Sequence, residues 1–115
     1  MNPLFATLGV AVVAAAFFML SRRQGDVTGE DARKLVAAGA GLLDVRTAGE
    51  FRSGHVPGAV NIPVQELPRR LNDVGAKDRP VVVYCLSGAR SAQAKRLLES
   101  GGFTQVHDLG PMSRW

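Results

Sequence analysis

The chain has 115 residues, 46% hydrophobic and 21% charged, with a net charge of +4; that is room for one domain. So modest a charge, with no Lys/Arg run interleaved with aromatics, argues against a nucleic-acid partner. The single cysteine, Cys85, excludes an intramolecular disulfide; His55 and His107 stand far from it in sequence, so no metal site is expected and no cofactor is called for. A lone thiol suits a reducing compartment.

All charged side chains lie after Ser21. Leu4 to Leu20 is a run of 17 uncharged residues with Thr7 its only polar side chain. As a helix it is roughly 26 Å long at about 1.5 Å per residue, close to a hydrocarbon core of ~30 Å. A domain of about 90 residues cannot enclose a helix apolar on every side. Ala14-Ala15-Ala16 offers small residues for cleavage of a signal peptide. However, no Lys or Arg precedes the run, and a cut there leaves Phe17 to Leu20 exposed. We therefore expect an uncleaved transmembrane anchor over 1–21, spanning through residues 4–20. Arg22 and Arg23 follow it directly, with Arg33 and Lys34 nearby. The positive-inside rule then puts the globular domain in the cytoplasm of a single-pass membrane protein. Ala11 and Ala15 make a small-xxx-small pair, although alanine is common in such spans. A homodimer is compatible with that pair, and nothing else in the sequence supports one.

Residues 22–26 read as a linker and 27–115 as the domain. Thr28 is a helix N-cap with Asp31 three residues on. In the helix that follows, Ala32, Leu35, Val36 and Ala37 form one apolar face, and Gly39 and Gly41 end it. Leu42 to Val45 is a short buried strand. Arg46 to Gly58 is turn-rich, with one helical turn near Glu50 and Phe51. Ala59 to Pro63 is a second strand. Val64 to Val74 reads as helix interrupted by Pro68, hence two pieces or a late start. Pro80 to Cys85 is the clearest strand, apolar on both faces and therefore central in a sheet covered on both sides. Ala89 to Ser100 is a helix with Ala92, Ala94, Leu97 and Leu98 inward, stopped by Gly101 and Gly102. Phe103 to Leu109 is a last strand. Strands alternating with helices predict an α/β domain with a mainly parallel sheet. Ligands of such sheets bind beyond the carboxyl ends of the strands, where Cys85 falls.

Between the central strand and its helix lies Cys85-Leu86-Ser87-Gly88-Ala89-Arg90. So short a loop must turn sharply, and Gly88 permits the backbone that this requires. Backbone N–H groups at the helix start then point inward and favour an anion. A cysteine in such a cradle is stabilised as the reactive thiolate. Arg90 adds a permanent charge and a planar donor fork. Ser87 and Ser91 can add hydroxyl donors. A buried cysteine at a strand end is also common, and the local pattern leaves both readings open.

Leu42 to Pro63, LLDVRTAGEFRSGHVPGAVNIP, resembles the first signature of single-domain rhodanese proteins: a D-V-R strand end, an E-F pair, then G-H-[IV]-P-G-A-x-N-I-P. VVVYCLSGARS is similar to their second signature, a strand leading into C-x-x-G-x-R-S, and VHDLGPMSRW to their closing G-G-M-x-x-W segment. The resemblance runs from about Val27 to Trp115. It implies a five-stranded, mainly parallel sheet flanked by helices on both faces. It also implies a sulfurtransferase in which Cys85 takes a sulfane sulfur from thiosulfate or a persulfide donor. The resulting Cys85 persulfide hands the sulfur to a thiol or cyanide acceptor, with Leu86, Ser87, Gly88, Ala89 and Arg90 as substrate cradle. Asp44 and Arg46 match the D-V-R, with structural or pocket-lining roles. His55 matches the G-H-x-P-G turn and is read as stabilising it rather than as a general base. Gly110-Pro111 stands where the family pairs two glycines, so the final turn is expected to depart from the pattern. Two alternatives remain: a non-catalytic binding or scaffold module of this fold, and a phosphatase or arsenate reductase. The latter enclose five residues between Cys and Arg. Four lie between Cys85 and Arg90, which favours sulfur.

Overall fold

The computed structural model describes residues 25–115. The span expected over residues 4–20 lies outside them, and no helix among the described residues is long and apolar enough to cross a membrane. Helix α1 spans Gly29–Ala37, and the Thr28 hydroxyl accepts the Asp31 N–H at 3.1 Å, the expected N-cap. Strand β1, Gly41–Asp44, starts one residue earlier than the apolar run and leads to the short helix α2, Ala48–Arg52. Strand β2 is only Val60–Asn61. Two 3-10 turns follow, Leu67–Arg69 and Leu71–Asp73: the segment starts late, with Pro68 in a first turn where proline is tolerated, and its two pieces part at Arg70 (φ −123°). Strand β3 is Val81–Cys85, helix α3 is Ala89–Ser100, and strand β4 is Val106–Pro111. The chain closes on a 3-10 turn, Met112–Arg114.

The strands form one sheet in the order β2-β1-β3-β4, every pair parallel. All five residues of β3 are buried, because period-two alternation sends its side chains into two cores. Val81, Val83 and Cys85 join Leu43, Ile62 and Leu67 against Ala94 and Leu98 of α3. Val82 and Tyr84 face the other way, with Leu42 and Leu109 against Ala32 of α1. Burying Val81, Val82, Val83 and Tyr84 contributes on the order of 10 kcal/mol before chain entropy is charged. On α3 the fully buried positions are Ser91, Ala94 and Leu98, while Ala92 and Leu97 are half-buried. Trp115 packs on the α1-side core.

Four strands are present among the described residues, not the five that the resemblance implies. The outer edge of β4 is covered by Gly25 to Val27. The Asp26 and Val27 N–H groups both donate to the Asp108 carbonyl, at 2.7 and 3.2 Å. The Asp108 N–H donates to the Asp26 carboxylate at 2.7 Å, and Lys95 of α3 pairs with that carboxylate. A side-chain acceptor thus stands where a strand would offer a carbonyl, and no ladder propagates. β4 itself starts later than expected and runs on through Gly110-Pro111. Its register slips by one residue opposite Val83 and Tyr84, a bulge at Leu109 that Gly110, at φ +81°, accommodates. Pro111 then lies opposite Cys85.

Tyr84 fastens the long turn after α2 to the sheet, its hydroxyl accepting the Val56 N–H at 3.1 Å. Burial, with the Asp44 carboxylate nearby, pushes the phenol up to about 12 from 10.0. The folded state therefore favours the neutral phenol. Its contribution is complete below pH 10.0 and is lost as pH rises toward about 12.

Two outcomes are expected. Tyr84→Phe leaves a buried N–H unpaired and loses roughly 1–3 kcal/mol at neutral pH. It also flattens the alkaline decline, worth about 2–3 kcal/mol, that urea unfolding of the natural chain shows across that window. Gly25→Ala destabilises by about 1–3 kcal/mol in the same assay. Gly25 sits at φ +89°, and a Cβ there falls 2.5 Å from the Asp108 and Leu109 carbonyl oxygens.

Candidate active site

β3 delivers Cys85 to the carboxyl end of the sheet and α3 begins four residues later. Between them the chain reverses at Gly88, which holds φ +107° and ψ −21°; a side chain there would be strained. That conformation turns the Gly88 N–H onto Cys85 Sγ at 2.9 Å. Ser91, buried in the first turn of α3, donates its hydroxyl to the Gly88 carbonyl at 3.1 Å and braces the turn from behind. Leu86, Ser87 and Ala89 are exposed on the rim, Leu86 to 55%. The first N–H groups of α3, at Ala89, Arg90 and Ser91, have no acceptor within the helix. Cys85 itself is fully buried. The two readings of this cysteine are therefore not exclusive: its side chain belongs to the core that α3 covers, and its sulfur takes a loop N–H.

Arg90 is not a free cation. Its Nη1 and Nη2 donate to Glu50 Oε1 and Oε2 at 2.7 and 3.0 Å, a two-point ion pair that joins α2 to the start of α3. Glu50 raises the Arg90 pKa, and Arg90, followed by the α2 N-terminus, lowers that of Glu50 to about 2. Glu50 is fixed from its own side by a full capping box. The Thr47 N–H donates to Glu50 Oε1 at 3.0 Å and the Glu50 N–H to Thr47 Oγ1 at 3.2 Å. The sequence predicts a helical turn there and assigns Glu50 no role. The T-x-x-E spacing could have located the cap, but no local signal gives its contact with a residue forty positions away.

Asp44 and Arg46 form a buried pair at the carboxyl end of β1. Arg46 Nη2 donates to Asp44 Oδ2 at 2.7 Å, Nε reaches both carboxylate oxygens at 3.1 Å, and the Arg46 N–H donates to Oδ1 at 2.9 Å. Asp44 raises the Arg46 pKa. Arg46 also donates to the Gly54 carbonyl at 2.7 Å and lies 5.7 Å from the Tyr84 ring centroid. Asn61 donates to the Asp44 and Arg46 carbonyls at 3.0 and 2.9 Å and so ties β2 to the same corner. Sequence alone gives Tyr84 and Asn61 no role, because each acts through contacts that the fold creates. His55 is exposed. Its Nδ1 lies 2.8 Å from the Phe51 carbonyl and its ring stacks on Phe51, with centroids 3.6 Å apart. That is the geometry of a turn-stabilising residue. Among the described residues no cluster of His, Cys, Asp and Glu could hold a metal ion.

The family model described as "Rhodanese-like domain" matches residues 28–115. A protein named "Sulfurtransferase" from Allochromatium vinosum is 41% identical over 75 residues, covering 64% of this chain and 69% of its own. "Thiosulfate sulfurtransferase PspE" of Escherichia coli is 41% identical over 69 residues, 59% of this chain and 66% of that protein. The solved structure of the human single-domain sulfurtransferase TSTD1 superposes with a TM-score of 0.68 at 33% identity, covering 77% of this chain and 92% of that one. With the strand–loop–helix cradle in place around its single cysteine, the chain belongs to the rhodanese-like domain family.

Proposed function

We propose that the protein is a membrane-anchored sulfurtransferase that carries sulfur as a persulfide on Cys85. The observation that carries this reading is the Cys85 sulfur at the end of the central strand, 2.9 Å from the Gly88 N–H. That contact puts a hydrogen-bond donor on the sulfur, at the end of the sheet where a ligand of a parallel sheet binds. In the first half-reaction the Cys85 thiolate attacks the outer sulfur of thiosulfate or of a persulfide. The donor's S–S bond breaks, its electron pair leaves with sulfite or with the donor thiolate, and the new S–S bond lies on Cys85. In the second, an acceptor thiolate or cyanide attacks that outer sulfur and the Cys85 thiolate departs. A new persulfide or thiocyanate is the product, and no external oxidant or reductant is consumed. Asp44 and Arg46 act as positioning residues, holding the carboxyl ends of β1 and β3 and the turn at Gly54. The names of relatives such as PspE support the class of chemistry, and the four-residue interval between Cys85 and Arg90 supports sulfur over a tetrahedral oxyanion.

Incubated with thiosulfate, the domain should gain one sulfur atom by intact mass, and cyanide should then release thiocyanate and restore the original mass. Cys85→Ser should abolish both. An unchanged mass with thiosulfate and with a persulfide donor alike would sink the catalytic reading and leave the scaffold module. The anchor over residues 4–20 is tested separately. In sealed inside-in vesicles an external protease should spare the globular domain until detergent is added.

A further inference from the structure

The chain enters the domain at the same end of the sheet as Cys85. Gly25 lies against the main chain of β4, where a Cβ would fall 2.5 Å from the Leu109 carbonyl oxygen. Leu109 is two residues before Pro111, and Pro111 stands opposite Cys85. Two strand spacings of ~4.8 Å and two residues of ~3.3 Å rise put Gly25 roughly 12 Å from Cys85. The entry point is pinned. The Asp26 and Val27 N–H groups donate to the Asp108 carbonyl, and the Asp26 carboxylate accepts the Asp108 N–H and pairs with Lys95. Thr28 then caps α1, and the Arg114 carbonyl of the C-terminal turn closes on Gly29.

Little chain is left between this clasp and the apolar run. Five peptide steps separate Leu20 from Gly25, at most about 18 Å even when fully extended. The end of the run is therefore within about 30 Å of Cys85. The amino ends of the strands lie farther off: Val81 is four residues back along β3, ~13 Å in the opposite direction. Arg22 and Arg23 lie in the tether, and cations at such a position favour an anionic headgroup layer. On the rim itself Leu86 stands 55% exposed, an apolar side chain at the end that the tether draws toward the lipid.

We propose that the carboxyl end of the sheet faces the lipid headgroup surface, and that Cys85 hands its sulfur to thiols fixed at that surface ahead of thiols in bulk. The proposal rests on the anchored-sulfurtransferase reading and adds the orientation of the site and the place of its acceptor. A surface thiol shares the membrane with the anchor, so confinement raises its effective concentration near the cradle to about the millimolar range. Its thiolate attacks the outer sulfur of the Cys85 persulfide. The bond between the two sulfurs breaks and its electron pair returns to Cys85 as thiolate. The outer sulfur, with its proton, becomes the end of the acceptor's new persulfide.

The test uses the full chain in vesicles of phosphatidylcholine and phosphatidylglycerol. For orientation, a Cys85→Ser chain receives one new cysteine, Leu86→Cys or Asp78→Cys, each labelled with a fluorophore. Both positions are exposed, and Asp78 lies in the turn before β3. Position 78 is thus at the far end of a strand ~17 Å long, and energy transfer to a headgroup-labelled lipid should be roughly twofold more efficient from position 86. Ser87→Cys replaces Leu86→Cys if that variant fails to fold. For the acceptor, Cys85 is loaded with thiosulfate, and sulfur is followed by mass onto phosphatidylthioethanol in the bilayer and onto mercaptoethanol in solution. A Gly/Ser insert of about 30 residues after Gln24 lengthens the tether to roughly 30 Å root-mean-square. It should slow transfer to the lipid thiol about fivefold and leave transfer to mercaptoethanol unchanged. In an anchored chain that loads sulfur, equal energy transfer from the two positions, or no selective slowing by the insert, overturns the proposal alone. If Cys85 takes no sulfur from any donor, the sulfurtransferase reading fails and the acceptor half falls with it, while energy transfer still decides the orientation. If a carbonate wash strips the chain from the vesicles, the anchor fails, and the proposal with it.

Discussion

Everything in this domain depends on burying strand Val81–Cys85 on both faces. Five consecutive side chains have no solvent-facing side, so the chain must supply cover above and below. Helix α3 provides one layer and α1 with the C-terminal turn the other. Parallel neighbours are the consequence, because each crossover has to lay its helix or turns on a face before returning. The same constraint fixes the site. A strand this well packed is a rigid base, and its last residue is the cysteine. The loop that leaves it has no choice but to reverse within a few residues to bring α3 back across the sheet.

Charge is arranged around that rigid end in a consistent way. The Asp44–Arg46 pair is buried, and the cost of taking two charges from water is met by close geometry. The Arg46 N–H bonds to Asp44, and the guanidinium also reaches the Gly54 carbonyl. The pair holds the corner where β1, β2 and the following turn meet, with Tyr84 and Asn61 completing it. Glu50 and Arg90 repeat the pairing nearer the surface. Arg90 is thereby held by a carboxylate, and the N–H groups at the start of α3 are the helix donors left without an acceptor within the helix.

The edges show how local chemistry departs from an idealised pattern. Asp26 offers its carboxylate where a strand residue would offer a carbonyl, which covers β4 without extending the sheet. The Gly110-Pro111 pair was expected to alter the final turn. The chain absorbs it as a bulge at Leu109 and a proline at the strand's end, where a missing N–H costs least.

Read as a sequence, the chain already determined the alternation of strands and helices, the central place of Val81–Cys85, the helix that follows, the late start around Pro68 and the Cys85–Arg90 loop. These are properties of short stretches, set by periodicity, β-branching, and glycine and proline, so a local reading reaches them. The motifs of residues 42–63 added the family resemblance for the same reason. Only the tertiary structure decided which side chains meet. Glu50 and Arg90 are forty positions apart, and so nothing in either neighbourhood announces that the loop's cation is already held. Tyr84 reaches Val56 across twenty-eight positions, and Asp26 reaches Asp108 across eighty-two. Such contacts arise from how the layers close on the buried strand, which is a property of the whole packed chain and of no segment alone.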